Sequence, residues 1–179
     1  MQVDVDLPPD LALAKAAPPV RALVTGPGHE LIKLYASPPV LRATIPSGAV
    51  PPIWRLSVSP SDVQVSRAAR VNIQDIEPRT LTFDLDRVAR RDVPVALRGT
   101  LEAESGFAIG KPLIVTPSIV RISGPRSLVA AIDSFPTEAV EIRGVTGPFE
   151  RTVTLDTASH PLIRVAPREV TVSGRTRRS

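Results

Sequence analysis

Pro117-Ser118-Ile119-Val120-Arg121-Ile122-Ser123-Gly124-Pro125 decides how this chain is read. The same pattern stands at Pro19-Val20-Arg21-Ala22-Leu23-Val24-Thr25-Gly26-Pro27, an offset of 98 positions. A pattern that recurs at a fixed spacing marks a repeated structural unit. The register continues past the Gly-Pro pair: Leu31, Ile32 and Leu34 correspond to Val129, Ala130 and Ile132, and Pro38 corresponds to Pro136. Further on, Ile76-Glu77-Pro78-Arg79-Thr80-Leu81-Thr82-Phe83 matches Val165-Ala166-Pro167-Arg168-Glu169-Val170-Thr171-Val172 at an offset of 89. The difference between 98 and 89 gives the first copy about nine extra residues, most simply a longer loop or hairpin between Ile45 and Val71.

Two tandem domains are therefore expected, residues 1–92 and 93–179, each a small twisted sheet assembly with one short helix. Each opens on an alternating segment, Val3-Asp4-Val5-Asp6-Leu7 and Val93-Pro94-Val95-Ala96-Leu97. Alternation of this kind gives a strand with one buried face. Ile119, Val120 and Ile122 predict a second strand, ended by Gly124-Pro125 as Gly26-Pro27 ends its counterpart; these four residues are structural turns. Helices are predicted over 30–35 and 127–134, the second with Ser127 as its cap. Ala139–Ile142 and Arg151–Leu155, separated by Gly144, Gly147 and Pro148, predict a hairpin. Val165–Val172 reads as an edge strand that tolerates its proline. Residues 174–179 read as a frayed tail.

Composition agrees with a mainly β fold. Twenty of the 179 residues are proline, roughly twice the usual share of about 5%, and proline excludes long helices because it removes a backbone donor. One Trp, one Tyr and four Phe leave the core to Val, Ile and Leu, which suit a pleated surface. The absence of Cys excludes disulfides, thiolate metal sites and cysteine nucleophiles. No run of about 18 apolar residues suggests a membrane span, and Asp4, Asp6 and Asp10 break any signal-peptide pattern at the start. The net charge of +4 divides into +1 for residues 1–92 and +3 for 93–179, with Arg175, Arg177 and Arg178 in the last five positions. The body is near neutral, so nucleic acid is not the expected partner.

Taken in order, these segments resemble the YbbR-type domain family. The marks are Val93-Pro94-Val95, Gly106-Phe107-Ala108-Ile109, Val115–Pro125, the passage Ile132–Glu138, and the closing Ala166–Val172. In the first copy, Ile76–Leu85 running into Arg90-Arg91-Asp92-Val93-Pro94-Val95 looks like the end of one such domain leading into the next. The resemblance implies a fold akin to the C-terminal domain of the L25-type ribosomal proteins. It implies repeats displayed on the extracytoplasmic face of a bacterial membrane, held by an anchor upstream of this chain. For the best-understood relatives it implies contact with a membrane-bound diadenylate cyclase and control of cyclic di-AMP.

No catalytic constellation stands out, and neither a cofactor nor a metal site is expected. His29 and His160 read as loop residues without ligand spacing. Asp156, Thr157, Ser159 and His160 carry the letters of a hydrolase triad, but within five residues of one loop base and nucleophile can hardly converge. Gly26-Pro27-Gly28 lacks the backbone donor and the Lys-Ser/Thr pair of a phosphate cradle. Asp84 with Asp86, and Glu102 with Glu104, read as solvated carboxylates on one strand face. Trp54, beside Pro51, Pro52 and Ile53 in the extra segment, is either core or a partner contact. The expected function is a non-enzymatic binding module, set against an L25-like RNA-binding protein or a passive envelope spacer.

Overall fold

Branched aliphatic residues at alternate positions keep most of this chain extended. The computed structural model describes residues 1–49, 51–66 and 69–179. It is mainly β, with 53% of the residues in strands and 10% in helices. The chain divides into two units, Met1–Val88 and Ala89–Ser179.

Unit 1 contains β1 (Gln2–Asp6), β2 (Leu11–Leu13), β3 (Arg21–Thr25), α1 (Gly28–Ala36), β4 (Val40–Thr44), β5 (Ile53–Ser57), a 3-10 turn at Pro60–Asp62, β6 (Val63–Gln64), β7 (Asn72–Glu77) and the first part of β8 (Thr80–Ala96). β1 runs parallel to β4, and β4 antiparallel to β6. β3 is antiparallel to β7, and β8 is antiparallel to both β2 and β5. Leu81, Phe83 and Leu85 alternate along β8 and are buried with Leu41, Ala43, Ile45 and Ile76. Burying one such large side chain contributes about 1.5–3 kcal/mol.

Unit 2 takes the end of β8 and adds β9 (Gly99–Ala103), β10 (Phe107–Ile109), β11 (Ile114–Thr116), β12 (Ile119–Pro125), α2 (Arg126–Ala131), β13 (Phe135–Pro136), β14 (Val140–Val145), β15 (Phe149–Thr154), β16 (Arg164–Ala166), β17 (Glu169–Gly174) and β18 (Thr176–Arg178). β12 lies between β8 and β16. β13 is parallel to β8, and β14 is parallel to β9. β17 sits between β11 and β15, antiparallel to each. Val93, Val120, Ile122, Val129, Phe135, Leu155 and Val172 are buried together.

The two units repeat one pairing scheme. A parallel pair (β1 with β4, β9 with β14) and an antiparallel pair (β3 with β7, β12 with β16) recur. So does an antiparallel strand pair flanking one central strand: β2 and β5 on β8, β11 and β15 on β17. The counterpart of β1 is thus β9, and Val93–Leu97 begins instead in β8, where β13 and β12 flank it. The nine-residue excess of unit 1 falls after Ser57, where the 3-10 turn and β6 add a strand to β4. Arg67 and Ala68 of the expected insertion, and Val50 within the wider stretch, lie outside the described residues.

Several expectations are corrected. Residues 139–155 form no hairpin: β14 pairs with β9 and β15 with β17, so the glycines and Pro148 between them carry the chain from one ladder to another. Pro167 splits the last segment in two, which frees β17 of proline and lets it accept partners on both sides. The tail is ordered, since β18 pairs with β10 and the Ser179 N–H donates to the Gly106 carbonyl oxygen at 3.0 Å. Helix α2 starts at Arg126 with Pro125 as its N-cap, and no side chain caps it, so Ser127 lies inside the first turn. Pro27 has the same place before α1. Gly124 belongs to β12, and a Cβ there would stand 2.8 Å from Ile163 Cδ1 and 2.9 Å from the Leu162 carbonyl oxygen. Glycine is needed for that close approach, and the chain changes direction only at the following proline.

Gly99 opens β9 at φ +131°, and a Cβ on it would fall 2.0 Å from the Val140 carbonyl oxygen. Gly99→Ala therefore strains the backbone and pushes β9 from β14, and is expected to cost about 3 kcal/mol or more. A lower urea midpoint for the full chain checks it; an unchanged midpoint would contradict the parallel register. The second expectation concerns the end of the chain. The Gly110 N–H donates to the Arg175 carbonyl oxygen at 2.8 Å, so truncation after Gly174 should leave the Gly110 amide exchanging with solvent as an unprotected amide does. Retained protection would mean that β18 is not its shield.

Candidate functional site

The residues that carry chemistry on this chain are held apart or tied into local structure. Asp156 sits at the entry of the loop after β15. The Ser159 hydroxyl donates to its Oδ2 at 2.7 Å and the Ser159 N–H to its Oδ1 at 3.2 Å. Those bonds, chiefly the hydroxyl and with Arg98 at 3.5 Å assisting, hold the Asp156 carboxyl below the usual carboxylate range. The His160 ring does not stay in water as expected: it is half-buried and packs on Phe135, with ring centroids 5.2 Å apart. With the Ser159 hydroxyl spent on Asp156 and the imidazole packed against an aromatic ring, the loop is built as a turn rather than as nucleophile and base.

His29 is exposed, and its Nε2 lies 3.2 Å from the Glu30 carboxylate, which also accepts from Lys33 Nζ at 3.4 Å. Glu30 is itself buried in α1, an unusual place for a carboxylate. Glu30, Leu34, Pro38, Pro39, Gln64 and Val65 help line an open groove of about 670 Å³ in unit 1. The carboxylates at 84 and 102 meet basic partners, Asp84 with Lys15 at 3.6 Å and Glu102 with Arg143 at 3.8 Å. Exposed pairs of this sort add about 0–1 kcal/mol. Among the described residues no group of His, Asp and Glu is large enough to hold a metal ion. No helix among them is long and apolar enough to cross a membrane.

Trp54 lies on β5 opposite Phe83, not in the inserted stretch. It is half-buried against the unit 1 core, and its indole N–H is buried without an acceptor among the described residues. An orphaned donor of this kind costs about 1–3 kcal/mol. Gly26, Pro27, Gly124 and Pro125 stand at the two strand-to-helix junctions. The arginines at the end of the chain, Arg175, Arg177 and Arg178, are exposed around β18. Sequence reasoning missed one functional candidate, the exposed trio Leu23, Ile32 and Tyr35; their counterparts Arg121, Ala130 and Asp133 were the available signal.

No curated protein matches the chain significantly. A crystal structure of a YbbR-like protein from Streptococcus pneumoniae superposes with a TM-score of 0.61 at 14% identity, covering 99% of this chain and 93% of that one. A solution structure from Streptococcus thermophilus has a TM-score of 0.42 at 25% identity, over 51% of this chain and 87% of that one. The first shares its fold with this chain. The family model for YbbR-like proteins matches residues 93–173, which run from the end of β8 to the end of β17. Residues 93–173 of this chain form a YbbR-type domain.

Proposed function

We propose that this chain is a non-enzymatic binding module that acts by contact on a membrane protein at the outer face of a bacterial membrane. The partner in this reading is a membrane-bound diadenylate cyclase, and unit 1 is a second YbbR-type copy. The observation that carries the reading is the family match over 93–173. Two features support it. Unit 1 repeats the ladder scheme of unit 2. The one loop with the letters of a hydrolase spends its serine on Asp156 and its histidine on Phe135. Within this proposal Trp54 is an aromatic contact, since indoles are enriched where protein surfaces bind tightly.

The test is a pull-down from detergent-solubilised bacterial membranes with residues 1–179 as bait, together with a reading of the gene upstream of Met1. Recovery of an integral-membrane cyclase, with an anchor encoded upstream, is the expected result. Recovery of ribosomal RNA in a complex that weakens steeply with salt would replace the proposal by the L25-like reading. Recovery of neither, with unchanged cyclic di-AMP on deletion of the gene, would leave an envelope spacer.

A further inference from the structure

β10 and β18 form a two-stranded ribbon in unit 2 whose strands carry no carboxylate. Ala108 stands opposite Arg177 and Phe107 opposite Arg178, and the Gly110 N–H donates to the Arg175 carbonyl oxygen at 2.8 Å. The place of these arginines is thus set by β10, well inside the chain. Side chains alternate along a strand, so Arg175 and Arg177 share one side with Gly110 and Ala108, while Arg178 turns to the other. The space over Gly110 belongs to the arginines: a Cβ there would lie 3.8 Å from Arg177 Nε. Lys111 follows directly and is exposed, as are Arg175 and Arg177.

The ion pairs of unit 2 use Arg91, Arg98, Arg121 and Arg143. Among the described residues none uses Lys111, Arg175 or Arg177. Unit 1 shows that the framework does not require these cations. At the offset of 89, Arg175 stands where unit 1 has Asp86, and Arg177 where it has Val88. Ser173 likewise takes the place of Asp84, which meets Lys15 at 3.6 Å. The track that is acidic and carries an ion pair in unit 1 is basic and carries none in unit 2. Glu150, opposite Ser173, is the carboxylate next to it in register. Like charges gathered this way repel, and a partner of opposite charge relieves the repulsion.

The shape of the face and its apolar neighbour select that partner. Ala108 and Gly110 raise no side chains that would wall a pocket, so the cationic groups stand above a level surface. Beside them Ile114, opposite Ser173 on β11, is 59% exposed. Basic groups on a level face with an exposed aliphatic residue fit a surface that is anionic at its plane and apolar beneath it. We propose that this face, with Lys111, Ile114, Arg175 and Arg177, rests on the anionic headgroups of a lipid bilayer. The inference builds on the reading that places the chain at a membrane, and adds which side it turns to the lipid. Three charges give a weak contact, one that orients a chain held there by other means.

The test is sedimentation of residues 1–179 with protein-free vesicles. Vesicles of equal parts phosphatidylglycerol and phosphatidylcholine should bind the chain, phosphatidylcholine alone should not, and salt should weaken the binding. Lys111→Gln, Arg175→Gln and Arg177→Gln combined should lower the partition coefficient about a hundred-fold, about five-fold per charge. Arg21→Gln, Arg42→Gln and Arg55→Gln remove the same charge from unit 1 and should lower it about two-fold at most. Ile114→Ser, with the charge intact, should lower it about five-fold. Every substituted position is exposed, so an unchanged thermal midpoint separates lost binding from lost folding. Equal losses from the two triple variants, full binding in Ile114→Ser, or no binding to the anionic vesicles would overturn the proposal. So would a complex with polyglutamate that needs the same three cations in place of vesicle binding, by naming an acidic polypeptide as the occupant. Because the vesicles hold no protein, these outcomes are read independently of the pull-down of a membrane partner.

Discussion

The pairing of the last residues of β8 with β12 is the interaction on which unit 2 depends. A strand in a small sheet has two needs, partners for its backbone groups and cover for its apolar face. Val93 answers the second, being 1% exposed beneath α2 and β12, while the Val95 N–H answers the first through Ser118. The same segment carries β13 on its other side. Just beyond it, Thr137 is fully buried; its N–H donates to the Ala96 carbonyl oxygen and its hydroxyl oxygen accepts from the Arg98 N–H, each at 2.9 Å. These bonds fix the chain where it leaves β8 for β9, and Gly99 then enters the parallel ladder at a φ that side chains avoid.

How much of this was legible in the sequence depends on the kind of information asked for. Alternation reports which face of a strand is buried, and the alternating residues Val120, Ile122, Val170 and Val172 are buried. It carries no record of the partner strand. Arg151–Leu155 and Ala139–Ile142 are near in sequence and alternate cleanly, yet each pairs with a distant strand. Local glycines and a proline fit a hairpin and a crossing between ladders equally well. The end of the chain failed for a related reason: Thr176-Arg177-Arg178 has no apolar alternation, and its order comes from the backbone of β10.

The candidate site was legible in part. Asp156 and Ser159, which the sequence crowds into one loop, are joined there, the carboxylate closing a turn on Ser159. That His160 packs on Phe135 could not be read locally, because the two residues meet only through the fold. Trp54 was singled out in the sequence and placed in the wrong segment. The offset of nine residues is spread over a long stretch, and only the ladder of β5 with β8 shows that Trp54 precedes the insertion.

The repeat itself is informative where it is unfaithful. Positions facing the cores keep their aliphatic character between the copies, as Val24 and Ile122 or Leu34 and Ile132 do, because packing constrains size and polarity together. Surface positions are free of that constraint, so a change there from Arg121 to Leu23, or from Asp133 to Tyr35, needs a different cause. Solvation alone favours the charged members of each pair. In unit 2 those charged positions are engaged by the end of β8, Arg121 with Asp92 at 2.9 Å and Asp133 with Arg91 at 3.9 Å, so the rim of the framework is matched to the strand set against it.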